Sequence, residues 1–117
     1  AAGDVGAVLY CASGKADAKG RDTPQGFVMM AGSTASPDEV DSLSKYLPGI
    51  VKLRKQLLED GVLAAQEEGW RFTQDYTFSS PSQASAVVLG RSSNGRRDWR
   101  DASGRTLNEI QESQTRD

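Results

Sequence analysis

Apolar and polar positions follow readable periods along this 117-residue chain. The run GAVLYCAS, Gly6 to Ser13, is short, mostly apolar and opened by a glycine, and it predicts a strand. KADAKGRDTPQG follows, with Gly14, Gly20 and Pro24 as turn formers, and reads as a long polar loop. GFVMMAGS, Gly26 to Ser33, predicts a second strand, with Phe27 and Met29 on one face and Val28 and Met30 on the other. Apolar residues on both faces place that strand centrally. The loop before it is long enough for the two strands to pair antiparallel.

Ser36-Pro37-Asp38-Glu39 carries a helix-start signal: a capping serine, a proline in first position and acid in the first turn. It suits a helix or only a short turn. A 3.6-residue period then runs from about Tyr46 or Pro48 to Asp60. Ile50, Leu53 and Leu57 form the stripe, Val51 and Leu58 lie beside it, and Arg54 and Lys55 are assigned to the outer face. Gly61 is placed to end the helix and Val62 to fold back on it. VLAAQEEGWRFTQDYTF predicts a hairpin turning at Glu67-Glu68-Gly69, with Trp70 and Phe72 on one face and Arg71 and Thr73 on the other. Most of the aromatics lie from Tyr46 onward, which centres the expected core there.

FSSPSQASAVVLGRSSNGRRDW, Phe78 to Trp99, has the most internal grammar. Ser80 caps, Pro81 sits first, and Gln83 is placed to complete a capping box. Ala84, Val87 and Val88 form the buried stripe, and Gly90 ends the helix. Asn94-Gly95 predicts a two-residue hairpin turn. Arg96 to Arg100 then reads as a short strand, with Arg97 and inward-pointing Trp99 on one face and Arg96, Asp98 and Arg100 on the other. Ser103-Gly104 makes another turn. Thr106 and Glu109 form a second capping box, opening a short helix with Leu107 and Ile110 inward and a polar, frayed tail, QESQTRD. The whole reads as one domain, residues 1–117, with an ordered core over about 5–112 and a polar tail at 113–117.

Composition narrows the chemistry. There is no histidine and one cysteine, Cys11, so a zinc site of ordinary type, a histidine general base and an intrachain disulfide are all excluded. A single cysteine fits a reducing, cytoplasmic setting. No apolar run approaches the roughly 18 residues that span a bilayer, so no membrane partner is expected. The start, AAGDVGAVLYCAS, has no basic leader, so no signal peptide is expected, and it lacks an initiator methionine, as a fragment or a trimmed chain would. Net charge is −2, but Arg91 to Arg105 holds five arginines against Asp98 and Asp101, a local +3 that leaves −5 elsewhere.

Catalytic readings fare poorly against plain ones. The serines at 79, 80, 82, 85, 92 and 93 have no base near them in sequence, and capping explains them. The acidic clusters Asp38/Glu39/Asp41 and Glu67/Glu68 look like a helix start and a turn; Asp75 alone lacks such an explanation. No glycine-rich phosphate loop has the required spacing. Two binding features remain. The helix start at Ser80 and Ser82 is a possible anion site. The basic segment, Arg91, Asn94, Arg96, Arg97 and Arg100, suits nucleic-acid phosphates, the alternative being a solvated edge strand.

Three segments in order add a resemblance: ADAKGRDTPQGFVMMAGSTAS (Ala16 to Ser36), LRKQLLEDGVL (Leu53 to Leu63) and FTQDYTFSSPSQASAVVLGRSSNGRRDWRDASGRTL (Phe72 to Leu107). Together they resemble domain of unknown function family 4357, an accessory domain near the C-terminus of many GIY-YIG nucleases and beside restriction-modification proteins. The last segment is also similar to a module of restriction enzymes and adenine methylases that is expected to engage DNA. Gln83 and Ser85 stand where alanines are common in that pattern, and Arg96 follows Asn-Gly where tryptophan often does. No GIY or YIG tripeptide occurs here, and the family has no catalytic residues to carry over.

The combined expectation is an α+β domain: a small mixed or antiparallel sheet with two or three packed helices. It is read as a non-catalytic accessory module that needs no cofactor. Its expected partner is DNA, within a nuclease or modification enzyme of the same chain or complex. The alternative is a protein-interaction or structural domain docking on that enzyme, which the acidic remainder favours. An independent small enzyme is the third reading.

Overall fold

A computed structural model describes residues 8–114. The chain folds as an α+β domain with a seven-stranded antiparallel sheet and five helices, two more than the upper expectation. The strands are β1 (Leu9–Ser13), β2 (Ala16–Thr23), β3 (Gly26–Met29), β4 (Thr34–Ala35), β5 (Leu63–Ala64), β6 (Trp70–Phe72) and β7 (Tyr76–Phe78). The helices are α1 (Asp41–Tyr46), α2 (Pro48–Glu59), α3 (Pro81–Leu89), α4 (Gly95–Asp98) and α5 (Leu107–Gln114). Gly6 and Ala7 of the first expected strand, and 115–117 of the tail, lie outside the described residues.

The main correction is β2. KADAKGRDTPQG is a strand for most of its length, and it stands between the two strands that were expected to pair with each other. On one side it pairs with β1, Leu9 opposite Gly20; on the other it pairs with β3, Gly20 opposite Met29, and with β4, Asp17 opposite Thr34. Its alternation is real but built from small residues: Ala16, Ala18 and Gly20 are buried while Asp17, Lys19 and Arg21 are exposed. At Gly20 no side chain fits because the Phe27 ring fills that space; a Cβ there would stand 2.3 Å from the ring edge. β3 and β4 act as one interrupted strand, and so do β6 and β7. The interruptions are joined where the Ala31 amide donates to Asp75 Oδ1 at 2.8 Å, which accounts for Asp75. β3 is central, between β2 and β7, as expected.

α3 and α5 start at the capping boxes expected of them. The Gln83 amide donates to Ser80 Oγ, and Gln83 Oε1 accepts from the Ser79 amide, a capping box displaced by one residue. Gly90 closes α3 with φ +68°. Thr106 and Glu109 form the expected box at α5, which runs on through Gln114. Ser36 makes only a turn, its hydroxyl accepting from the Asp38 amide, and α1 starts at Asp41.

Arg54 is a second correction: it is wholly buried, not outward. Position 54 is four residues after Ile50 and three before Leu57, so it lies within the apolar stripe of α2. Its guanidinium works as a three-way clamp. Nη1 donates to the Val87 carbonyl at 2.5 Å, Nη2 to the Ser36 carbonyl at 2.6 Å, and Nε to Glu39 Oε2 at 2.8 Å. The group stacks 4.4 Å from the Trp70 ring centre. Val87 is in the last turn of α3, where carbonyls lack helical partners. The amides of Ser36 and Val40 donate to the Val88 and Gly90 carbonyls, so the 36–40 segment and Arg54 together cap that end.

The core is not confined to the later half of the chain. Leu9, Cys11, Phe27 and Met29 are buried with Phe72, Phe78, Val87 and Trp99, whereas Tyr46 is 69% exposed. Trp99 closes the core against Phe27, ring centres 4.4 Å apart.

Candidate nucleic-acid interface

The segment that carries the candidate arginines departs most from its expected form. Asn94-Gly95 does not turn a hairpin. Asn94 Oδ1 accepts from the Arg96 amide and caps α4, so Gly95 to Asp98 is helical and strand alternation does not apply to Arg96–Arg100. A two-residue hairpin of the expected type needs positive φ at both residues, and neither has it. Gly95 is a glycine for another reason: its missing Cβ leaves room for α3, and a Cβ there would stand 2.3 Å from the Pro81 carbonyl carbon. Only Arg100 pairs as a strand would, with Tyr10 on the free edge of β1 and with Thr106.

That bridge assembles a cleft of about 400 Å³ between β1, the end of α3 and the 100–104 loop, lined by Tyr10, Cys11, Arg91, Asp98, Arg100 and Asp101 among others. Arg91 and Arg100 are therefore brought together. Arg96 and Arg97 are exposed on α4 away from the cleft lining, with Arg96 Nε donating to Gln111 Oε1 at 2.9 Å. Asn94 is exposed at the α4 cap. Ser80 and Ser82 both serve the fold: Ser80 Oγ accepts from the Gln83 amide, and Ser82 Oγ from the Gly95 amide at 2.9 Å. The α3 start is thus covered by the α4 start.

The two acids of the cleft are turned to internal partners. Asp98 accepts a short hydrogen bond from the Ser93 hydroxyl, which lies 2.7 Å from that of Ser85. Asp101 accepts from the Ser103 hydroxyl and amide and from the Arg105 amide and Nε. The Ser103 hydroxyl, with Arg105 behind it, holds the Asp101 carboxyl down to a pKa of about 2. The guanidiniums have weaker attachments: Arg91 Nη1 donates to the Ser92 carbonyl at 3.3 Å and Arg100 Nη1 to the Gly104 carbonyl at 3.4 Å. Among the described residues the only ion pairs are Arg54–Glu39 and Arg105–Asp101. The cleft so presents two exposed cations, and the two acids that line it with them accept hydrogen bonds from other groups.

Cys11 is buried at the cleft floor. Desolvation, with Asp98 adding to it and Arg91 opposing, pushes its thiol up to about 11, so at neutral pH it is a protonated thiol and a poor nucleophile. Tyr10 has no site reading in the sequence, and Cys11 enters it only through the chemistry that a lone cysteine excludes. The available signal was the alternation of β1, which puts Tyr10 outward and Cys11 inward.

Fold and cleft together define a small α+β domain with an arginine-lined surface site. The chain belongs to the family described as Domain of unknown function (DUF4357), whose model matches residues 9–111. No curated protein and no solved structure matches the chain. Among the described residues no helix is long and apolar enough to cross a membrane.

Proposed function

We propose that this domain is a non-catalytic accessory module that binds the DNA backbone and helps position DNA for a nuclease or modification enzyme in the same chain or complex. The observation that carries the reading is the cleft that Arg91 and Arg100 both line while Asp98 and Asp101 are held by Ser93, Ser103 and Arg105. Guanidiniums without a carboxylate partner suit phosphate oxygens, which they meet as a planar fork. Arg96 and Arg97 widen the cationic surface along α4. The nuclease context comes from the family resemblance. The non-catalytic reading is supported by a chain without histidine, helix-start serines engaged in caps and a protonated Cys11.

Fluorescence anisotropy with labelled duplex DNA across a salt series tests the reading. Each phosphate contact contributes a slope of about −0.9 in log K against log salt, so Arg91→Gln with Arg100→Gln is expected to lower the slope by about 2. Absence of binding at low salt ends the proposal.

A second reading, docking on a protein partner, has its own observation. Tyr46 is 69% and Val40 45% exposed. Nearby, Leu47, Ile50 and Leu53 line a shallow groove of about 620 Å³. Salt-insensitive association with the partner enzyme, lost in Tyr46→Ala, would favour it.

A further inference from the structure

The sheet has two faces, and α3 packs against β2, β3, β4 and β7 on one of them. Strand register decides what stands on the other, because directly opposed residues share a face. Tyr10 is opposite Lys19, Arg21 is opposite Val28, and Val28 is opposite Thr77. Asp17 is opposite Ala12 and Thr34, and Thr34 is opposite Arg71. Asp17, Lys19 and Arg21 alternate with buried Ala16, Ala18 and Gly20, so this whole set faces away from the core. Tyr10, Lys19, Arg21 and Arg71 are all exposed there, with Asp17 as the acid among these rows.

We propose that this open face binds an unpaired nucleic-acid strand, with Lys19, Arg21 and Arg71 on the phosphates and Tyr10 stacking on a base. The inference rests on the nucleic-acid reading above and names the form of nucleic acid. Three observations carry it. Lys19, Arg21 and Arg71 form no ion pair among the described residues and outnumber Asp17 on this face, so it presents net positive charge to a polyanion. Lys19 and Arg21 stand two residues apart on one strand, roughly 6.6 Å at about 3.3 Å per residue, a regular spacing of cations along β2. Tyr10 is 39% exposed, and among the described residues no cation lies over its ring. It also lines the arginine cleft, so the cations of the cleft and of the sheet meet at one aromatic ring. A base in a duplex already has stacking partners on both sides, whereas an unpaired base has a free face for Tyr10.

The test is anisotropy of the full chain with a short labelled oligothymidine and, separately, a duplex. Lys19→Gln, Arg21→Gln and Arg71→Gln together are expected to lower the single-strand salt slope by about 2, at about 0.7 per contact. Tyr10→Ala should weaken single-strand binding about 5- to 150-fold, while Tyr10→Phe should retain it and duplex affinity should hardly change. All these side chains are exposed, and an unchanged circular-dichroism melt verifies that the variants fold. Single-strand binding that ignores both the triple change and Tyr10→Ala overturns the inference; if Arg91→Gln with Arg100→Gln still weakens the duplex, the reading of the cleft survives alone. Competition by polyglutamate as effective as by oligothymidine would reveal generic anion attraction and also overturn it. Failure of both nucleic acids to bind removes the two proposals together.

Discussion

Replacing Arg54 by methionine tests the clamp at the end of α3. The change keeps a long flexible side chain but leaves the Val87 and Ser36 carbonyls without their donor. A buried acceptor left unmet costs about 1–3 kcal/mol, and the lost stack on Trp70 adds up to about 2. Relief from burying a cation works the other way. Burial already lowers the Arg54 pKa, against the opposing pull of Glu39. Breaking a buried pair typically costs about 3–5 kcal/mol. The Glu39 side chain is 30% exposed and can return to water, which argues for the low end, about 3 kcal/mol. That is a large share of the roughly 5–15 kcal/mol that holds a domain together. At about 4 °C per kcal/mol for this length, the melting temperature should fall by about 12 °C. Urea unfolding followed by tryptophan fluorescence measures it, with an unchanged m-value. Arg54→Lys should recover only part of the loss, because one ammonium cannot reach three acceptors in fork geometry. A methionine variant within about 0.5 kcal/mol of the parent, too small for even one unmet acceptor, would refute the clamp.

Further outcomes check other parts of the fold. Gly95→Ala drives a Cβ to 2.3 Å from the Pro81 carbonyl carbon and 2.4 Å from the Ser82 nitrogen, both backbone, so it should cost about 3 kcal/mol by thermal melting. Gly104→Ala, at φ +90° in open space, should cost only about 1 kcal/mol of backbone strain, and the reverse order would contradict the packing of α4 on α3. Asp101 should titrate near pH 2 against its ordinary 3.8 by carboxyl NMR. Its folded pKa is depressed, so the stabilising contribution is full above about 3.8 and is lost as pH falls toward 2. Ser103→Ala should move that midpoint upward, and an unmoved midpoint would remove the hydroxyl as the main cause.

Much of this was legible in the chain. The α3 and α5 caps, the end of α2 at Gly61 and the β5–β6 turn follow from local chemistry that nothing distant overrides. β2 was hidden because its inward residues are Ala16, Ala18 and Gly20, which carry the period of a strand without its hydrophobicity. Arg54 was misplaced because its charge was weighed above its helical phase. Asn94-Gly95 was ambiguous, since the same pair serves a hairpin or a cap beside a close backbone contact, and only the approach of Pro81 decides between them. The cleft was out of reach altogether. Arg91 and Arg100 were marked as candidates, but their meeting depends on Arg100 pairing with Tyr10 across ninety positions of sequence.

The sheet's margins have a consequence of their own. β5 at one margin has two residues, β7 has three, and the rung of β1 at Tyr10 is already taken by Arg100. Uninterrupted margins with free amides and carbonyls invite strands from neighbouring chains, which is a route to aggregation. Here the invitation is brief, and part of it is answered within the molecule. Short and partly occupied margins therefore give a neighbouring chain little backbone to zip onto. A crowded solution of this domain should resist the edge-to-edge growth that leads to fibres.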